Sequence, residues 1–107
     1  MSELDSTPHV RFALHGEIDA ATARNGIALV MDANPRPGDL VTLDLSDVDF
    51  IDSSGVSMLL KIQSYLDGMG CRFALANPSA PVVRVLALLG LTDKFPTDDA
   101  EVSGAPT

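Results

Sequence analysis

Three times along this chain a short run of alternating apolar residues is followed, within a few positions, by the start signal of a helix. Val10, Phe12 and Leu14 alternate with Arg11, Ala13 and His15. Val41, Leu43 and Leu45 alternate with Thr42 and Asp44, and Phe73 and Leu75 with Ala74 and Ala76. A period of two places the first-named residues of each run on one face of a strand. Strands separated by helices join as a largely parallel sheet with right-handed crossovers. Sheets covered by helices on both faces read as continuous apolar runs, whereas these runs alternate. The expectation is a small α/β domain. Its mixed or mostly parallel sheet has about four strands, with helices mainly on one face.

Asp19 is placed to cap a helix from Ala20 to about Ala33, with Ala23, Ile27 and Val30 turned inward and Met31 beside them. Asn25-Gly26 weakens it in the middle, by about 1 kcal/mol for the glycine relative to alanine. Asn34-Pro35-Arg36-Pro37-Gly38-Asp39 ends it, since proline lacks a donor and restricts the residue before it. A polar turn after Leu45 leads to a second helix from Ser53 to about Asp67, stopped by Gly68-Met69-Gly70. The third helix runs from Pro81 to Leu89, with proline in its first turn and Gly90 past its end. Residues 92–97 are expected to add a short strand at best. Residues 1–8 read as a flexible arm, 9–97 as the domain, and 98–107 as an acidic, flexible tail.

Several function classes are disfavoured. At 107 residues the chain forms one domain with a core that needs no staples. The net charge of −8, with only seven basic residues dispersed singly, argues against nucleic acid and anionic membrane surfaces. Cys71 is alone, so no intramolecular disulfide or cysteine cluster can form, which points to a reducing, cytoplasmic setting. The N-terminal residues lack the apolar block of a signal peptide. The richest run, Val82 to Leu91, is too short to span a membrane and contains Arg84. His9 and His15 lie about 20 Å apart on one strand, at about 3.3 Å per residue, and cannot share a metal. No glycine-rich phosphate loop follows a strand. A serine hydrolase would need a Gly-x-Ser-x-Gly elbow and a base beside Ser53 or Ser54. Asp19 and Asp52 are explained more simply as caps than as an acid–base pair. Neither catalysis, a cofactor nor a metal is expected, and Cys71 reads as a small buried hydrophobe.

What remains is a surface. In parallel units every strand-to-helix turn lies at the same sheet edge. Asp19, Ser53, Ser54 and Asn77–Ser79 are therefore expected to share one polar docking face. Ser54 opens a helix, where unpaired N–H groups and the helix dipole tolerate a phosphate. Within the apolar Val56–Leu60 stretch two readings of Met58 stand side by side: a core residue, or the one residue of the stretch that faces a partner, because methionine suits adaptable surfaces.

Four segments now resemble a known family. They are Gly16-Glu17-Ile18-Asp19-Ala20-Ala21-Thr22, Asp44-Leu45-Ser46-Asp47-Val48-Asp49-Phe50-Ile51-Asp52-Ser53-Ser54-Gly55, Asn77-Pro78-Ser79 and Val85-Leu86-Ala87-Leu88-Leu89-Gly90-Leu91. In that order and spacing, over residues 9–97, they are similar to the STAS domain of bacterial anti-sigma factor antagonists. The resemblance implies a non-enzymatic partner switch. The unmodified antagonist binds an anti-sigma factor that is also a serine kinase of histidine-kinase-like ATPase fold, and so frees the sigma factor. The kinase phosphorylates the serine before the glycine, here Ser54, and the complex separates. A metal-dependent serine/threonine phosphatase resets it. By position, Asp19, Asp52, Ser53 and Gly55 join the docking face. The alternative is a STAS module of another assembly, such as a lipid-transporter accessory subunit or a stress-signalling scaffold, without a phosphoswitch. The family often begins with an extra strand and ends with a further amphipathic helix, and residues 1–8 and 98–107 show neither pattern.

Overall fold

Val10, Phe12 and Leu14 meet Val41, Leu43, Phe73 and Leu75 on one face of a three-stranded parallel sheet in the computed structural model, which describes residues 9–97. Strand and helix alternate as β1 (His9–Ile18), α1 (Ala20–Asp32), β2 (Leu40–Ile51), α2 (Ser53–Gly68), β3 (Arg72–Ala76) and α3 (Ala80–Leu88). The sheet order is β1-β2-β3, with Val10 opposite Val41 and Val41 opposite Phe73. This is the α/β arrangement that the alternating runs predict. The expected arm and acidic tail lie outside the described residues.

The core forms on the apolar face of the sheet. Leu43, Leu45, Leu59, Ile62, Leu66 and Leu75 are almost wholly buried and join Val30 of α1 and Val82 and Leu86 of α3 in one cluster. The opposite face of β1–β3 contributes no residue to that cluster. It carries the Arg11–Asp44 ion pair at 3.0 Å and a contact of His9 Nε2 with Thr42 Oγ1 at 3.1 Å. That face also holds the buried Thr42, Ala74 and Ala76, so large apolar residues on one face and small or polar ones on the other explain why the strands alternate instead of reading as continuous apolar runs.

Two details refine the expectation. Among the described residues the sheet shows three parallel strands, and residues 92–97 add a single bridge between Leu75 and Thr97. Their one buried side chain, Phe95, turns inward to meet Phe73 edge-on at 6.2 Å between ring centroids. Second, β2 does not stop at Leu45 but continues to Ile51, and β1 continues through Gly16 to Ile18. Two register shifts accommodate the extra length. Ala13 and His15 face Asp44 and Asp47, and Gly16 and Glu17 face Val48 and Phe50, so β2 carries one extra residue at each step. These are β-bulges. They space the buried residues Leu45, Val48 and Ile51 by three, which hides a strand from any period-two reading.

The glycine in the middle of α1 has a packing reason. A Cβ on Gly26 would stand 2.6 Å from Met58 Sδ, so its absence lets α1 and α2 approach closely.

Candidate functional site

The far ends of β1 and β2 place two helix starts side by side. Ile18 pairs with Ile51, and both are buried, so the next residue of each strand, Asp19 and Asp52, emerges at the same edge. A 3.4 Å hydrogen bond from the Asp52 amide to the Ile18 carbonyl ties the two exits together. Each aspartate then caps its helix. Asp19 Oδ1 accepts from the amides of Ala21 and Thr22, both at 3.1 Å, while Thr22 Oγ1 accepts from the Asp19 amide at 2.7 Å. This reciprocal pair is a capping box with threonine in place of the more usual glutamate. Asp52 Oδ1 accepts from the amides of Ser54 at 2.8 Å and Gly55 at 3.2 Å. Both carboxylates thus hold backbone donors, and neither is arranged as an acid–base pair.

Between the helix starts runs an open groove of about 440 Å³ lined by both helices. Ala20, Ala23, Arg24 and Ile27 form one wall, and Ser53, Ser54, Ser57, Met58 and Lys61 the other. Ser54 is half-buried on this wall and Ser53 is exposed. No histidine hydrogen-bonds either serine among the described residues, and His15 lies 3.6 Å from Asp47 instead. A second depression of about 390 Å³ beside β3, lined by Asp67, Cys71 and Arg72 among others, contains no hydroxyl.

Two of the expected docking residues face inward. Met58 is 1% exposed, its sulfur lodged under α1 at Gly26, so it supports the groove from below and does not present a surface to a partner. Gly55 is also buried: a Cβ there would stand 2.5 Å from Ile51 Cγ1 and 2.9 Å from Ile18 Cγ2. Its place in the Asp-Ser-Ser-Gly run is dictated by the close passage of α2 over the strand ends. Asn77–Ser79 does not join the face either. The Ser79 amide bonds the Leu45 carbonyl at 3.2 Å, whereas the Asp52 cap begins beyond Ile51. The extended β2 separates the two sites by about 15–20 Å at about 3.3 Å per residue.

The groove also contains residues that sequence reasoning passed over, namely Arg24, Ser57 and Lys61. Ser54, Ser57 and Lys61 fall at i, i+3 and i+7, a single helical stripe, and that spacing is the signal that could have found the latter two. Arg24 had no comparable signal, because the facing of two helices is a tertiary fact.

The caps leave an electrostatic signature. The Thr22 amide, followed by the Thr22 hydroxyl, holds the Asp19 carboxyl below its ordinary value of 3.8. The Ser46 amide, 2.9 Å from Asp44 Oδ1, does the same for Asp44, with Arg11 adding to the effect. A carboxyl depressed in the folded state stabilises the fold above its unfolded pKa, and that contribution is lost as pH falls through the folded value. The urea midpoint is therefore expected to be flat above about pH 5 and to fall below about pH 4. An Asp19→Asn, Asp44→Asn double variant should show a shallower acid slope. An equal slope would disconnect these two groups from acid stability.

The comparisons with known proteins agree with this geometry. The model of the STAS domain family matches residues 2–104. Over 92 residues the chain is 30% identical to an anti-sigma F factor antagonist of Paenibacillus polymyxa, spanning 84% of this chain and 78% of that protein. It superposes on the anti-sigma factor antagonist SpoIIAA in its unphosphorylated form with a TM-score of 0.70 and 25% identity, over 90% of this chain and 86% of that one. The STAS domain of a SulP transporter from Vibrio cholerae shares the fold, with a TM-score of 0.64 and 18% identity over 91% of this chain and 80% of that domain. A family match over nearly the whole length, joined to the parallel sheet and the capped helix pair, shows that this chain belongs to the STAS domain family.

Proposed function

We propose that this chain is an anti-sigma factor antagonist. Its unphosphorylated form binds an anti-sigma factor of the serine-kinase class and releases the sigma factor, and phosphorylation of Ser54 ends the binding. The observation that carries this reading is the position of Ser54, a half-buried hydroxyl on the wall of an open groove between two capped helices. The names of the Paenibacillus polymyxa relative and of SpoIIAA support the same role. Asp19, Asp52 and Ser53 border the groove and contribute to the docking face. A serine/threonine phosphatase returns the protein to its binding form. The setting is the cytoplasm, and the chain acts by binding, not as an enzyme. No helix among the described residues is long and apolar enough to cross a membrane.

Incubation with candidate anti-sigma kinases and ATP, followed by mass spectrometry of the peptide around Ser54, tests the assignment. One phosphate is expected on Ser54 in the wild type and none in Ser54→Ala. Labelling of Ser54→Ala to the wild-type extent would refute it. The likeness to a transporter STAS domain supports a second reading, in which the module serves another assembly without a phosphoswitch. Copurification separates the two: an ATPase of histidine-kinase-like fold favours the switch, and a membrane transporter favours the alternative.

A further inference from the structure

Several of the donors at the tip of α2 are already engaged. Besides the two amides held by Asp52 Oδ1, the Val56 amide bonds the Asp52 carbonyl at 3.1 Å. A phosphate on Ser54 therefore meets a carboxylate at the place where a bare helix start would offer N–H groups. Its counter-ions must come from elsewhere.

The groove supplies them. Arg24 of α1 and Lys61 of α2 line it from opposite walls, both exposed and neither in an ion pair among the described residues. Lys61 follows Ser54 by two turns, about 10.5 Å along the axis on the same side of the helix. Helical side chains lean toward the N-terminus, so a lysine stem of about 6 Å brings the ammonium back toward Ser54. Arg24 faces it across the groove with a planar fork that matches phosphate oxygens. In a chain with seven basic residues and a net charge of −8, two of them line the groove that holds this hydroxyl.

We infer that Arg24 and Lys61 form a phosphate clamp, which draws the phosphoryl group of a modified Ser54 across the α1–α2 groove. Phosphorylation then occupies the two cations that an acidic side chain of the partner would otherwise meet. The inference rests on Ser54 being the modified hydroxyl. The other charged groups near the phosphate are Asp19 and Asp52 at the two caps, and they are unchanged between the proteins compared below.

Phosphoserine installed at position 54 by genetic code expansion removes any dependence on a kinase. The second ionisation of the phosphate, near pH 6 when free, is followed by phosphorus NMR in the parent and in Arg24→Gln, Lys61→Gln and the double variant. The double variant should titrate about one unit higher than the parent, with the single variants between them. Both positions are exposed, so the fold should survive, which far-UV circular dichroism checks. Coincident titrations in parent and double variant would overturn the clamp, whether the phosphate stands in solvent or displaces Asp52. Failure of every kinase to label Ser54 would instead count against the proposed switch and would leave this titration as it stands.

Discussion

Replacing Gly55 by alanine lowers the stability of the domain by about 2–3 kcal/mol, the upper range for forcing a methyl group into a packed interior. The added Cβ meets Ile51 Cγ1 at 2.5 Å and Ile18 Cγ2 at 2.9 Å. Both neighbours are buried β-branched side chains with little rotamer freedom. Retreat of the backbone is no easier, because Asp52 holds the first turn of α2 and the Asp52 amide is tied to Ile18. Alanine is the better helix former, by about 1 kcal/mol, so the clash must first exceed that gain. Urea unfolding with an unchanged slope should report the loss as a lower midpoint. Gly68→Ala is the control: a Cβ at Gly68 meets nothing within 4 Å, and that variant should hold or gain stability. Equal stability of the two variants would remove the steric reason given for Gly55.

The second large effect is on affinity. Under the proposed switch, Ser54→Asp weakens binding to the cognate anti-sigma factor at least tenfold, and phosphorylation weakens it on the order of a hundredfold. One charge pair at about 4 Å and an effective dielectric near 20 is worth about 4 kcal/mol before screening. A third of that is about 1.4 kcal/mol, a factor of ten. The phosphate carries close to two charges and so has about twice the leverage. Arg24 and Lys61 sharpen the contrast. Unmodified, they attract an acidic group on the partner, and a new carboxylate or phosphate beside them cancels that attraction. Ser54→Ala should bind as the wild type does and resist release by ATP. Calorimetry of the three proteins against one anti-sigma factor decides the matter, and Ser54→Asp binding as tightly as wild type would end it.

Much of the architecture was legible because it is written in periodicities. Val10, Phe12 and Leu14, or Val41, Leu43 and Leu45, announce strands whose faces the structure keeps. Asp19 and Asp52 announce helix starts because a carboxylate before a helical run has a local task. The second half of β2 was not legible. Each bulge inserts a residue, so its buried positions fall three apart and its polar residues imitate a turn. That error displaced Asn77–Ser79 onto a face it does not reach. Met58 was left undecided for a different reason. Methionine suits a mobile surface and an irregular core gap equally well, and only the facing Gly26 of another helix decides between them. Arg24 and Lys61 are ordinary solvated cations in the sequence, and they become a pair only when two helices start from neighbouring strands.

The longer reach of β1 and β2 has a mechanical corollary. Beyond Asp44, where β3 ends its pairing, the two strands continue as a ribbon held, among the described residues, by a single ladder, and both helix starts are mounted on its tip. Flexing this ribbon would disturb that ladder and also the packing of Ile18, Val48 and Ile51, which belong to the same buried cluster as Leu43 and Phe73. The spacing of the two helix starts is thus set by the interior beneath them, and a visiting protein meets two tips already held at a fixed separation.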